Sequence, residues 1–499
     1  MDINVIAGAI QESDTDAILI SLYEDVTRLE GITKAVDKAL GGAINNLIAT
    51  QDFTGSLGEV AVLYTQNAIP ARRVLLVGLG KQEELDNEVV RQAAAHAILQ
   101  CQELNITRAA TILHGVESGN LAAAEAASAL VEGTLLAVYE YETKPKEQDT
   151  VTTLEIMVAD KSTVTTVEAA AKDAQHLAAG VTVTRELVNA PPNICTPTYM
   201  AEIATQVAED ANLRIQVLER GQMQALGMGA MLAVAQGSDA PPRFIILEHN
   251  ADRAAELDSI VLVGKGITFD TGGYSLKQPG SMTTMKTDMA GAAAVIGAMR
   301  AIGALDLPLH VVGLAPACDN MINGSAYRPQ EVVTASNGTT IEIVSTDAEG
   351  RMLLADALVF AKRFEPVAAV DIATLTGACV TALGKVAAGL FCTDDDLQQA
   401  LLAAAEATEE RLWPLPLYDE YEELLESMVA DLKHSAGTAG TGVGVSAMFL
   451  KRFVDFPAWA HIDMAGMASN APNNKPYTPK GATGYGVRLF VEFVRQWAS

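Results

Sequence analysis

The stretch "VLVGKGITFDTGGYSLKQPGSMTTMKTDMAGAAAV", residues 261–295, runs from a β-branched segment through a glycine-rich turn into a Gly/Ala-rich helix. A strand followed by a helix is the building unit of α/β architecture. Lys265 follows the apolar run and stands between Gly264 and Gly266, a costly place for a charge. Either the side chain snorkels to the surface, or its pKa is lowered and the neutral amine serves as a ligand or base. Asp270 precedes a Thr-Gly-Gly turn, which an Asx-turn would explain, and Asp288 precedes the helix, which an N-cap would explain.

A second charged stretch, "STDAEGRMLLADAL", residues 345–358, turns abruptly apolar. Thr346 and Glu349 fit a capping box at the head of a helix. Asp347, Glu349 and Arg351 also stand at every second position, so in an extended segment all three side chains would leave one side. The preceding TTIEIV has the pattern of a β-strand, and Gly350 permits a tight strand-to-helix turn. Asp270, Asp288, Asp347 and Glu349 brought together would repel one another unless cations intervened, and two divalent metals would balance them. Such a site would use mostly oxygen ligands and accept several divalent metals. Two metals about 3.5–4 Å apart can activate a shared water and polarise a carbonyl, so hydrolysis is the natural chemistry.

The rest of the chain repeats the α/β pattern. In the first third, strands are expected at NVIAG, DAILISLY, EVAVLYT, RVLLVGLG, ATILHG and LEIMVA, with a helix from Glu88 to Leu104. VLLVGLGKQ lacks the third glycine of a dinucleotide fingerprint, since Glu83 stands there, so it is expected to be an ordinary strand-to-helix turn. A polar stretch, ETKPKEQDTV, precedes the last of these strands, and a long helix is expected over Val164–Asn189, stopped by APPNICTPTY. The second part restarts with strands at LRIQVLE, RFIILEH, SIVLVGKG, LHVVGLAP, TIEIVS, AAVDIATL and AWAHIDMAG. Helices are expected at DMAGAAAVIGAMRAI and GYGVRLFVEFVRQWA. The expected organisation is an N-terminal α/β domain over 1–165, a connecting helix over 166–190 and a catalytic domain over 191–499, with a mixed central sheet flanked by helices. The charged constellations lie at strand ends, where open α/β sheets bind ligands.

A chain of 499 residues exceeds one ordinary core, which fits this division. The net charge of −28 opposes non-specific binding to nucleic acid and anionic membranes. Five scattered cysteines without a CxxC pair favour a reducing compartment and no structural Cys-zinc site. The N-terminus MDINVIAGAIQESD has no basic start, and no run of about 20 apolar residues occurs, so a soluble cytoplasmic protein is expected.

Taken together, GKGITFDTGG, YSLK, MKTDMAGAAAV and STDAEGR resemble the signature blocks of the leucyl (cytosol) aminopeptidase family. TRELVNAPPNICTP, AYRPQEVV, DIATLTGA, RLWPLPLYDEY, DLKH, WAHIDMAG and NAPNNKPYTPKGATGYGVRLFVEF follow in family order. The resemblance implies a metal-dependent aminopeptidase that removes N-terminal residues, preferably Leu and other apolar ones, from peptides. It implies two divalent ions per subunit, Mn²⁺ or Zn²⁺ with Mg²⁺ or Co²⁺ as alternatives. Asp270 and Glu349 would bridge them, Lys265 and Asp288 complete the tighter site, and Asp347 the more exchangeable one. Lys277 and Arg351 would be the catalytic pair, with Arg351 holding a bicarbonate ion as general base. Met285, Thr374, Leu375 and Gly377 would line the pocket for the substrate's first side chain. A macro-like N-terminal domain and a homohexamer, a dimer of trimers, are also implied. Ser345 replaces the family's usual Asn, and Cys318-Asp319-Asn320 stands where Thr-Glu-Asn is common. A phosphoesterase using the same two-metal logic, and nucleic-acid or nucleotide binding, are the competing expectations.

Overall fold

The computed structural model describes all residues except 118, 120, 142–150, 438–441, 470–474 and 499. The polar stretch before the sixth strand and the beginning of NAPNNKPYTPKG therefore lie outside the described residues. The chain divides into two compact units: residues 1–178 with the segment 475–479 form the first and the rest the second, and the break after Ala178 falls within the helix Val164–Asn189.

The first unit is built on a six-stranded sheet in the order Asp2–Ala7, Thr153–Val158, Arg108–Ile112, Ala17–Leu22, Arg73–Gly78, Val60–Tyr64. All neighbours are parallel except the last pair, which is antiparallel. These are the six strands expected from the β-branched runs, within three residues at each end. Ile18, Ile20, Val74, Leu76 and Ala110 form its core with Val36, Ile44 and Phe53. Helix Asn87–Glu103 begins where the Asp86 carboxylate accepts the Val89 N–H at 2.8 Å. It packs against helix Ala123–Ala137 at Gly133, where a Cβ would lie 2.2 Å from the Arg91 carbonyl oxygen. The glycines of VLLVGLG serve packing as well. A Cβ on Gly78 would lie 2.0 Å from the Ser56 carbonyl oxygen, and Gly80 has a φ of +69°.

The second unit carries a nine-stranded mixed sheet. Its order is Leu412–Pro414, Ala388–Cys392, Trp459–Asp463, Ala368–Ala373, Ser259–Gly264, His310–Asn320, Arg243–His249 and Arg214–Leu218, with Gly266–Asp270 added beside the far half of His310–Asn320. The four strands from Trp459–Asp463 to His310–Asn320 run parallel, so their C-terminal ends open on one edge. Strand alternation shows both faces covered. A Cβ on Gly313 would meet Met299 of helix Ala290–Leu305, while the neighbouring Val312 and Leu314 pack with Leu353 and Leu354 of helix Gly350–Ala361. Helix Ala290–Leu305 meets the segment at Gly180 by direct backbone approach, since a Cβ on Gly297 would lie 2.4 Å from the Gly180 carbonyl oxygen. The span Met285–Leu305 is apolar enough on average to cross a membrane, but 78% of its window is buried inside the protein, which explains its composition.

One local expectation differs from the structure. TIEIVS forms only the short strand Thr340–Glu342, outside the main sheet, between Val332–Thr334 and Leu432–Lys433. Apolar alternation there marks a small satellite sheet rather than the main one. The five cysteines are free, and Cys101, Cys195, Cys318 and Cys379 are buried. Burial pushes the thiols of Cys101, Cys195 and Cys379 up to about 12, which makes them inert.

Candidate metal centre

The C-terminal edge of the parallel strands gathers the charged residues. Lys265 follows strand Ser259–Gly264, Asp270 ends strand Gly266–Asp270, Asn320 ends His310–Asn320, Thr374 follows Ala368–Ala373 and Asp463 ends Trp459–Asp463. Glycines allow the backbones to close here. A Cβ on Gly264 would lie 2.3 Å from the Gly291 carbonyl oxygen, and one on Gly291 would lie 2.2 Å from that of Ile372. Lys265 donates its N–H to Ile372 at 3.1 Å, and its carbonyl accepts the Ala292 N–H at 2.8 Å. The start of helix Ala290–Leu305 is thereby docked onto the lysine's own backbone.

The Lys265 side chain does not snorkel, since the residue is 2% exposed. Its Nζ lies 2.8 Å from Asp288 Oδ1, 3.0 Å from Glu349 Oε1 and 3.0 Å from the Thr374 carbonyl oxygen. Gly350 makes room for it, because a Cβ there would lie 2.3 Å from Lys265 Cε. Burial disfavours the ammonium, but Asp288, Glu349 and Asp270 outweigh burial and hold its pKa above the ordinary value. Among the protein's own groups, then, the amine keeps its proton; only a cation in the carboxylate cluster would reverse that balance.

Lys277 Nζ lies 2.7 Å from both Asp270 Oδ2 and Asp347 Oδ1. Burial opposes its charge too, and Asp270 and Glu349 override it. Ligand oxygens of Asp270, Asp347 and Glu349 all lie within 4.8 Å of one another. Burial and the neighbouring Glu349 push the Asp270 carboxyl up to about 6, against the pull of Lys277 and Lys265. Burial pushes Asp288 up to about 8, with Lys265 opposing. Glu349 is the exception: burial would raise it, yet Lys265 and Lys277 hold it below the ordinary value.

Two carboxylate oxygens in this cluster, Asp288 Oδ2 and Glu349 Oε2, are buried and have no hydrogen-bond partner among the described residues. A buried, unpartnered carboxylate oxygen is strongly disfavoured, and a divalent cation is the partner that a cluster of carboxylates and one amine fits.

Several sequence readings change in detail. Asp288 does not cap helix Ala290–Leu305; its Oδ1 accepts from Lys265 and from the Thr374 hydroxyl at 2.8 Å. Asp270 does form the expected Asx-turn, with Oδ1 accepting the Gly272 N–H at 2.8 Å, and keeps Oδ2 for Lys277. Thr346 makes no capping box. Its hydroxyl donates to the Gly272 carbonyl at 2.6 Å and accepts the Ser275 N–H at 2.8 Å, clasping the opposite loop. Nor is the DAEGR segment extended. A turn at Ser345–Ala348 leads into a helical Glu349, so Asp347 and Glu349 converge through a bend, because Gly350 must fit beside Lys265.

Arg351 is buried, donates from Nη1 to the His434 carbonyl at 2.7 Å and has no partner for Nε among the described residues. Burial draws its guanidinium down to about 10, with Glu349 and Asp463 resisting. Ser345 Oγ accepts the Asp347 N–H at 3.2 Å, and its carbonyl accepts from His434 Nε2 at 2.8 Å. The serine that departs from the family pattern thus still braces the loop.

Of the four residues expected in the substrate pocket, Thr374 joins the cluster through its hydroxyl and carbonyl. Leu375 gives its N–H to Asp463 Oδ1 at 3.2 Å. Gly377 is exposed with open space above it, and Met285 is half-buried in the turn before Asp288. Residues to which sequence reading gave no role in the site also build it: Asn320, Tyr327, Thr346, His434 and Asp463. Their segments carry the family resemblance, but nothing local in a strand-end Asn or a loop His announces its partner.

Comparison with known proteins matches this architecture. The cytosol aminopeptidase family, catalytic domain, matches residues 182–491, and the N-terminal domain of the same family matches residues 20–146. The chain is 43% identical to the probable cytosol aminopeptidase of Syntrophotalea carbinolica, covering 97% of each chain. It is 45% identical to that of Geotalea uraniireducens, covering 92% of each. Among solved structures it is similar to a tomato leucine aminopeptidase mutant, with a TM-score of 0.87 at 35% identity over 99% of this chain and 96% of that one. It is also similar to the bottromycin maturation enzyme BotP in complex with Mn, with a TM-score of 0.85 at 32% identity over 97% of this chain and 100% of that one. With both domain matches in order and the carboxylates, Lys265 and Lys277 gathered at one sheet edge, the chain belongs to the cytosol aminopeptidase family, the metal-dependent aminopeptidases.

Proposed function

We propose that this enzyme releases N-terminal residues, preferably Leu and other apolar ones, from peptides at a two-metal centre held by Lys265, Asp270, Asp288, Asp347 and Glu349. The observation that carries this reading is the pair of buried, unpartnered oxygens on Asp288 and Glu349 within the carboxylate cluster. When bound, two divalent cations supply the Lewis acidity that activates water and polarises a carbonyl. Mn²⁺ is favoured by the similarity to a Mn-containing structure, with Zn²⁺, Mg²⁺ or Co²⁺ as alternatives.

The chain's own residues provide the rest. Lys277, kept cationic by Asp270 and Asp347 at 2.7 Å, sits where it can stabilise negative charge developing on the scissile carbonyl oxygen. Arg351, with Nη1 fixed and Nε without a partner among the described residues, would hold a bicarbonate ion, which would supply a general base. Thr374, beside Asp288, marks the near wall of the substrate site, with Met285, Leu375 and Gly377 as the side-chain pocket. Ligation by Lys265 calls for its neutral amine, so metal uptake releases a proton and weakens in acid. A cytoplasmic homohexamer, a dimer of trimers, completes the proposal.

The test is a panel of Leu-p-nitroanilide and p-nitrophenyl phosphate assayed with chelated protein and after adding Mn²⁺ or Zn²⁺. Peptidase-type hydrolysis lost on chelation and restored by metal is expected. Full activity of the chelated protein, or hydrolysis of the phosphate ester alone, would overturn the reading.

A further inference from the structure

We propose that Asn320 is a positioning residue that sets the spacing between the two loops carrying the metal ligands, a deepening that rests on the metal-centre reading above. Asp270 comes from the end of one strand, and Asp347 and Glu349 from a loop about 80 residues later. Their carboxylates lie within 4.8 Å of one another and repel, so the two loops need a brace that fixes their distance.

Asn320 is fully buried at the end of strand His310–Asn320, in register with Asp270 on the neighbouring strand. Its Nδ2 donates to Asp270 Oδ1 at 2.7 Å and to the Thr346 carbonyl at 2.9 Å, the peptide group that precedes Asp347. Both acceptors are oxygens, so only the NH₂ end of the amide fits between them and the orientation is chemically determined. The two amide hydrogens are thereby both used, one on each loop. The same residue's carbonyl accepts the N–H of Thr271 at 3.0 Å and its hydroxyl at 2.9 Å, which fastens the turn after Asp270 to the sheet. Tyr327, also buried, donates its hydroxyl to the Thr346 carbonyl at 3.0 Å and supports the far side of the clamp.

Lys277 spans the same two carboxylates, Asp270 and Asp347, but it is the cation proposed to face the substrate and cannot also be a fixed spacer. The Thr346 contacts to Gly272 and Ser275 join the loops without touching a ligand oxygen. Asn320 alone among the described residues reaches, from one uncharged donor atom, a ligand carboxylate and the backbone leading to Asp347. It acts through the ligands rather than on the substrate.

Asn320→Leu keeps the volume and deletes the donor. Loss of an outer partner of a metal ligand typically weakens metal affinity or activity about 10–100-fold. Calorimetric titration of metal-free protein with MnCl₂ is expected to show the affinity of Asn320→Leu lowered by that factor. At saturating Mn²⁺, kcat for Leu-p-nitroanilide is expected to stay depressed while KM is nearly unchanged. Tyr327→Phe, which removes only the supporting donor, is expected to fold normally and show a smaller loss in the same direction; it carries the test if Asn320→Leu does not fold. Asn320→Ser, which retains one donor, is expected to fall between Leu and wild type. Wild-type protein that takes up no Mn²⁺ would overturn the metal reading itself. Wild-type uptake with unchanged affinity and kcat in these variants would overturn the clamp alone, and so would a loss in which KM rises in step with a lowered melting temperature.

Discussion

Two turns in this molecule have nearly the same sequence: VLLVGLG at 74–80 in the first unit and IVLVGKG at 260–266 in the second. Each ends a buried parallel strand, and in each the residue between the glycines donates its N–H to the end of the neighbouring strand. Leu79 donates to Leu22 at 3.0 Å and Lys265 to Ile372 at 3.1 Å. In each, a glycine is required by a backbone oxygen, Ser56 against Gly78 and Gly291 against Gly264. The two positions are equally inaccessible, 2% exposed in both cases. What differs is the company: Lys265 meets Asp288 and Glu349 at 2.8 and 3.0 Å, whereas Leu79 is one more apolar residue in the interior. The same backbone frame serves packing in one unit and a charged site in the other, so the frame alone does not make the site.

Making the second turn like the first should have the largest effect. Lys265→Leu removes a proposed ligand and leaves Asp288 and Glu349 buried without the ammonium they pair with, so kcat/KM for Leu-p-nitroanilide is expected to fall by at least about 10²–10³-fold. Activity within tenfold of wild type would remove Lys265 from the centre. The reverse change, Leu79→Lys, buries an ammonium with no evolved partner and is expected to cost about 3–5 kcal/mol in denaturant unfolding. An unchanged midpoint would show that water reaches that turn after all. Gly350→Ala presses a methyl group on the Lys265 stem, and a loss of about 1–3 kcal/mol with reduced Mn²⁺ uptake is expected from overpacking. Normal uptake would mean that the lysine can move aside.

The smallest effect concerns a pair of buried histidines, one in each unit. Burial pulls His114 down to about 4, and burial together with Arg351 does the same to His434. Both folded pKa values lie below the unfolded value of about 6.5, so between those limits the unfolded chain binds more protons. Stability therefore falls as pH drops from about 6.5 toward 4. His434 pairs its ring with the Ser345 carbonyl and the Val344 N–H, while the ring nitrogens of His114 have no hydrogen-bond partner among the described residues. His114→Leu should flatten the acid limb of stability against pH by up to one proton, about 1.4 kcal/mol per pH unit, without touching the paired histidine. An identical acid limb in the variant would show that His114 does not contribute.

Much of the fold was legible because its signals are local. Period-two alternation and β-branched runs marked the strands at Ala17–Leu22, Arg73–Gly78, Arg243–His249 and Ala368–Ala373, and helical spacing marked Val164–Asn189 end to end. The strands Gly266–Asp270, Ala388–Cys392 and Leu412–Pro414 went unread: the first hides behind a charged, glycine-flanked residue, and the others lie between helices without alternation. In the site, residue types that are costly to bury stood out, and so Lys265, Asp270, Asp288, Asp347 and Glu349 could be picked as candidates. Asn320, Tyr327 and His434 could not, because an amide, a phenol and an imidazole are unremarkable until their partners are known.

The sequence by itself determined the net acidic charge, the chain order of most strands and helices and which ionisable groups stand near strand ends, the last two because they follow from neighbours a few residues away. It also carried enough motif to imply the family. Only the tertiary structure decided that Thr346 clasps the Gly272–Ser275 loop instead of capping a helix, and that Asp347 and Glu349 converge through a bend. It also decided that Lys265 stays buried among carboxylates while Leu79 does not meet any. The physical reason is that hydrogen bonds and charges act over a few ångströms in space, and sheet order brings together residues that are about 80 or more positions apart in the chain.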